Sequence, residues 1–183
     1  MYKKIITMLS ILILVSGCAG KTSEDLYADG VQMLQEGKPD SAIVLFKNAL
    51  EKNQSFLNAR YQLARVYMSE EKYELAEKEF QKVRLMNPYQ SEIKLDLAKL
   101  YNRLGKPDQA IRNVEEYLLD KTNSTDALEV IGRAYRIKKM HQEAEVFFLR
   151  ALQIEPEKLT TKRELAALHA GQEVIEIAGA MRD

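Results

Sequence analysis

The sequence predicts an all-α protein, an α-solenoid of antiparallel helix pairs, and three observations predict it. Residue types recur every 34 positions along most of the chain. Inside each period the apolar residues fall three and four apart, as in Leu63, Val66 and Tyr67, which is the spacing of one helix face. No segment alternates apolar and polar residues between turn signals as a strand would.

Composition agrees with a helical binding or assembly module. The chain has 183 residues, 46% of them apolar, enough to build a core. Its 27 basic and 27 acidic side chains balance, which argues against a nucleic-acid partner. One cysteine excludes a disulfide framework and a cysteine-built metal site, and two histidines leave little for catalysis.

The first element is an address. Lys3 and Lys4 precede an uncharged run from Ile5 to Val15, too short for a membrane-spanning helix of about twenty residues. It ends in Leu14-Val15-Ser16-Gly17-Cys18. This segment resembles the bacterial lipobox, with Val15 at a place where leucine is most common. The resemblance implies a signal peptide over 1–17, cleavage before Cys18, and a lipid on that cysteine. Cleavage leaves 25 basic and 27 acidic side chains, a net charge of −2. With Ala19 rather than aspartate after the cysteine, the same resemblance implies an outer-membrane protein facing the periplasm. Residues 18–22 would then be the lipidated cysteine and its tether.

The repeats follow. Pro39 and Pro107 lie 68 apart, as do Pro88 and Pro156, and Gly37 and Gly105. Ala42, Ala76, Ala110, Ala144 and Ala178 step by 34, and so do Gly30, Ala64, Ala98, Gly132 and Ala166. Tyr67, Tyr101 and Tyr135 form one aromatic column; Phe46, Phe80 and Phe148 form another, with Val114 in its vacant place. Small columns let helices approach, and aromatic columns fill the space between them. Helix pairs are predicted at 23–36 with 39–53, 57–70 with 73–86, 91–104 with 107–120, and 125–138 with 141–154. Pro39 and Pro107 sit in the first turn of a second helix, where proline is tolerated, while Pro88 and Pro156 close one.

These columns resemble the tetratricopeptide repeat. The resemblance implies four repeats over 23–158, at 23–56, 57–90, 91–124 and 125–158. Residues 159–183 read as a partial fifth repeat or capping helices. There His169 replaces the tyrosine and Arg182 stands in the phenylalanine column.

Catalytic chemistry is hard to find. Adjacent pairs such as Glu70-Glu71 and Glu115-Glu116 diverge on a helix and read as solvated faces. Neither His141 nor His169 has a second ligand at helical spacing. No phosphate-cradling loop and no nucleophile–base arrangement is present, so no cofactor, metal or small-molecule substrate is expected.

What remains is the concave face that stacked helix pairs form, lined mainly by first helices. Arg65, Lys99 and Arg133 make a basic column on it, flanked by Arg103 and Arg136, with Asn58 and Asn102 as amide donors. Tyr27, Tyr61, Val31 and Met68 make its apolar N-terminal part. Such a face suits a protein or peptide partner carrying carboxylates. Asp96 and Glu129 stand three and four residues before Lys99 and Arg133 and compete for the same charges. The Lys–Asn clamp of well-known peptide-binding family members is absent, because Tyr27, Val31, Tyr61 and Arg65 hold those places.

The lipobox, the short tether and segments such as Lys47-Asn48-Ala49-Leu50-Glu51 resemble tetratricopeptide lipoproteins of exopolysaccharide export and exosortase systems. That resemblance implies a non-catalytic scaffold in a bacterial envelope assembly. A secretin-assembly lipoprotein of type IV pili shares the architecture, and a helper subunit of a cell-wall or polysaccharide enzyme is a third reading.

Overall fold

A computed structural model describes residues 20–180, with side chains described through Gly171. The described residues form nine helices and no strand: α1 Ser23–Gln35, α2 Pro39–Lys52, α3 Leu57–Ser69, α4 Tyr73–Met86, α5 Ser91–Arg103, α6 Pro107–Leu118, α7 Thr125–Ile137, α8 His141–Ile154 and α9 Leu159–Ala180. The predicted signal peptide and Cys18 lie outside the described residues. The chain divides into two compact units, Met1–Val66 and Tyr67–Asp183, and the division falls inside α3.

In the first unit, α1 and α2 pack together as a pair. Thr22 starts α1 with a capping box. Its hydroxyl accepts from the Asp25 amide at 3.1 Å, and the Asp25 carboxylate accepts from the Thr22 amide at 2.9 Å. Such a cap contributes about 1 kcal/mol. The pair closes where Gly30 meets Phe46, both buried. A Cβ on Gly30 would lie 2.6 Å from the Phe46 ring, so only glycine lets this ring seat. The Tyr27 ring lies 5.8 Å from that of Phe46, and the Phe56 ring lies 5.2 Å from that of Tyr27.

In the second unit, α4 packs on α5, α5 on α6, α6 on α7, α7 on α8 and α8 on α9. First helices also touch in succession, α5 with α7 and α7 with α9, as a solenoid requires. The phenylalanine column is fully buried here at Phe80 and Phe148, and Val114 is equally buried in its place. Gly132 meets Phe148 as Gly30 meets Phe46, with a hypothetical Cβ 2.7 Å from the ring.

The turn inside each pair is the same everywhere. Residues Gly37, Glu71, Gly105 and Lys139 have φ of 71°, 57°, 66° and 62°. The next amide bonds back to the first helix at 2.8, 2.8, 2.8 and 3.0 Å, from Lys38 to Met33, Lys72 to Tyr67, Lys106 to Tyr101 and Met140 to Tyr135. This is the Schellman ending, which reverses the chain and satisfies the last carbonyls of the helix. Pro39 and Pro107 then open their second helices at the first helical position. Asn87 and Glu155, before Pro88 and Pro156, have φ of −140° and −125°, the extended backbone that a following proline favours.

Residues 159–180, expected as a partial fifth repeat or capping helices, form a single helix. It continues through Glu173, where the next turn would fall. Ala166 is accordingly exposed, whereas Gly30, Ala64, Ala98 and Gly132 are all buried.

Candidate functional site: the first-helix faces

The expected partner-binding residues divide between the units. Tyr27, Val31, Asn58, Tyr61 and Arg65 belong to the first, and Met68, Lys99, Asn102, Arg103, Arg133 and Arg136 to the second.

In the first unit Tyr27 is half-buried and serves packing as much as surface, since Phe46 and Phe56 hold its ring. Val31 beside it on α1 is half-buried. Asn58 and Arg65 are exposed. The Arg65 guanidinium lies 5.8 Å from the centre of the Tyr61 ring, a cation–π arrangement one turn long on α3.

In the second unit the basic face carries acids between its cations. Arg133 donates from Nε to Glu164 Oε1 at 2.6 Å, and its Nη2 donates to Glu129 at 3.5 Å. Arg136 reaches the other Glu164 oxygen at 3.2 Å. Glu129 is buried, and the hydroxyls of Thr160 and Thr161 donate to its Oε1. Asp126 is held by Lys158 at 2.6 Å. That hydrogen bond keeps its carboxyl below the usual aspartate range, against the effect of burial, with Lys99 and Arg133 adding attraction. At Arg133 the column expected to be basic is part of a mixed-charge network in which α7 and α9 are clasped together.

Asn102, expected as an amide donor on this face, instead donates from Nδ2 to the Val130 carbonyl at 2.7 Å. It ties α5 to α7, because its place on the helix points at the next first helix. Met68 is half-buried, Lys99 is half-buried, and Arg103 is exposed at the end of α5. His169 Nε2 stands 3.0 Å from Glu145 Oε1 on α8, at the place where earlier repeats have a tyrosine. His141 opens α8, where earlier pairs have Pro39, Tyr73 and Pro107.

Sequence reasoning looked for partners within one helix and so missed Glu164, Thr160, Thr161 and Lys158. Their signal is a spacing just under one repeat. Arg133 and Glu164 are 31 apart, Lys106 and Glu77 29, and Lys138 and Asp108 30. Residues on successive pairs meet at one period less about a helical turn.

Among the described residues no group of three or more His, Cys, Asp or Glu can hold a metal ion, and no helix is long and apolar enough to cross a membrane.

Family models described as tetratricopeptide repeat match residues 33–88, 67–133 and 125–158. The chain belongs to the tetratricopeptide repeat family. Tetratricopeptide proteins are in general non-catalytic scaffolds for protein–protein interaction, and this chain carries the same scaffold. Solved structures agree on the fold. MamA from Desulfovibrio magneticus RS-1, residues 41 to the end, superposes with a TM-score of 0.77 at 16% identity, over 88% of this chain and 91% of that one. A tetratricopeptide protein from Parabacteroides merdae gives 0.77 at 18% identity, over 85% and 62%. YrrB, a tetratricopeptide protein with an unusual peptide-binding site, gives 0.66 at 19% identity, over 81% and 77%. No curated protein matches the sequence.

Proposed function

We propose that this tetratricopeptide chain is a lipid-anchored scaffold that binds protein or peptide partners in a bacterial envelope assembly, of the exopolysaccharide-export or exosortase kind. The observation that carries the partner-binding part is the succession of first helices α5, α7 and α9, with Lys99 on α5 and Arg133 on α7 one repeat apart. The peptide-binding site described for YrrB, on a similar fold, supports the same reading. The anchor rests on the sequence Leu14–Cys18 and its resemblance to a lipobox. Cys18 is the only cysteine and hence the only residue that a lipid thioether can use.

The test joins both parts. Cys18→Ser is expected to abolish fatty-acid labelling and to release the chain from the outer-membrane fraction. Cross-linking from the first-helix faces is expected to trap envelope proteins with wild type. Equal labelling of wild type and Cys18→Ser removes the anchor from the reading. Capture unaffected by Arg65→Glu with Lys99→Glu, against an outer-face control of Lys47→Glu with Lys82→Glu, removes the face.

A further inference from the structure

We propose that the inter-repeat end of the second unit, built around Leu85, Tyr89 and Leu119, rests in the headgroup layer of the bilayer that carries the anchor. The proposal goes beyond partner binding and rests on the anchor read from Cys18.

These three side chains are the most exposed large apolar groups among the described residues, at 79%, 91% and 82%. They come together from separate parts of the sequence. Leu85 lies in the last turn of α4, Tyr89 in the loop after it, and Leu119 just past α6. Ser91 donates to Asp120 at 2.6 Å and Lys94 reaches the same oxygen at 3.3 Å, which seats the α4–α5 loop beside the end of α6. Leu85 and Leu119 share one register position, 34 apart, that the repeat does not need for packing, since Glu51 and Gln153 hold it elsewhere. The opposite end of the same pairs, where the turns lie, is charged. Lys72, Lys106, Lys138 and Lys139 are exposed there, and its exposed large apolar groups, Leu75 and Ile137, reach only 47% and 40%.

Two observations select a bilayer as the occupant. At such exposure nothing flanks the three side chains as the walls of a groove would, so they suit a soft flat surface better than a partner helix. Leucine and tyrosine beside a cation are the side chains that settle at a lipid interface, where apolar bodies enter and charged tips stay wet. Exposed Lys121 supplies the cation two residues after Leu119, and Asp120 between them is already engaged by Lys94. The second observation is where the chain enters. The tether reaches α1 at the same kind of end in its own pair, past the end of α2, where a Cβ on Gly20 would lie 3.9 Å from Lys52 Nζ. The stretch from Cys18 to Ser23 spans at most about 18 Å, so a lipid on Cys18 brings an inter-repeat end to the membrane. Anchoring raises the effective concentration of the surface, and a weak apolar contact then suffices.

The experiment uses residues 18–183, which keep every described element, coupled through the single cysteine Cys18 to a maleimide-bearing lipid in phosphatidylethanolamine–phosphatidylglycerol vesicles. The chain has no tryptophan, so Tyr89→Trp provides one reporter and Ile137→Trp provides another at the turn end. Lipids brominated along the upper acyl chain are expected to quench Tyr89→Trp at least about threefold more than Ile137→Trp. Adding Leu85→Gln and Leu119→Gln to Tyr89→Trp is expected to lower that quenching at least about fivefold. Circular-dichroism melting verifies that each variant folds. Equal quenching of the two reporters overturns the contact, as does quenching that survives both glutamines. A Tyr89→Trp emission shift without quenching, growing with the number of chains per vesicle, assigns this end to a second copy and overturns the bilayer. Quenching of the coupled chain without fatty-acid labelling in cells removes the natural anchor and supports the contact; labelling without quenching removes the contact alone.

Discussion

The pairs α5–α6 and α7–α8 make the same turn and the same helix contact from different residues. In the first, Ala98 is the small position and Val114 the large one. In the second, Gly132 is the small position and Phe148 the large one, and all four are buried. The first pair reverses at Gly105 and opens its second helix with Pro107; the second reverses at Lys139 and opens with His141. The backbone is held constant while volume is exchanged across the contact. A methyl added to one helix accompanies a smaller side chain on the other. The turn shows the opposite case, because there the backbone demand is fixed and α7–α8 meets it with a residue poorly suited to it.

The largest way to break this equivalence is at Phe148. Phe148→Ala leaves a cavity under α7 and is expected to cost about 3–5 kcal/mol, read from urea midpoints. Val114→Ala is expected to cost less, since fewer buried atoms are lost.

Gly132→Ala tests the exchange itself. Its Cβ would lie 2.7 Å from a ring that is fully buried and has nowhere to move. Overpacking costs about 1–3 kcal/mol, of which alanine's better helix preference offsets about 1. Gly132→Ala combined with Phe148→Val transplants the α5–α6 solution. The double variant is expected to be more stable than the two single losses add up to, by about 0.5 kcal/mol or more. Strict additivity would show that the two positions do not share one space.

The turn gives a smaller effect of the other sign. A side chain at positive φ costs about 1–2 kcal/mol, partly offset by glycine's larger freedom in the unfolded chain. Lys139→Gly is therefore expected to stabilise by about 0.5 kcal/mol. Gly105→Lys is expected to destabilise by a similar amount. Thermal melting of both variants checks the signs.

Acid titration gives the smallest. Asp126 has its carboxyl held down by the Lys158 hydrogen bond. A depressed acid contributes stability that is present above its unfolded pKa, near 4, and is lost as pH falls through the folded value. Asp126→Asn is expected to leave the melting temperature at pH 7 slightly lower and its decline below pH 4 shallower. An unchanged acid slope would mean that Lys158 does not hold Asp126 in solution.

Much of this was legible beforehand because a repeat writes its geometry several times over. The small and large columns reported the helix contacts, and prolines reported where second helices begin and end. The glycines at 37 and 105 marked a turn whose backbone is repeated at Glu71 and Lys139, where residue type gives no hint. What was not legible is the pairing between successive repeats. Arg133 has an acid four residues back in sequence, yet its shorter bond goes to Glu164, because inter-repeat approach decides which acid is nearer. Asn102 read as a surface donor because the wheel of one helix does not say how the next helix leans on it.

The uncovered Ala166 gives the second unit a direction. There α5 and α7 are each closed over by a second helix of their own, whereas among the described helices α9 packs on α7 and α8 alone. In a linear array each element is stabilised by its own terms and by its borders, and α9 has one border fewer. Among the described helices of this unit, local opening is therefore expected to be easiest at α9. Amide exchange should register this as a gradient of protection, fastest along α9 and slowest where α5, α6 and α7 surround one another.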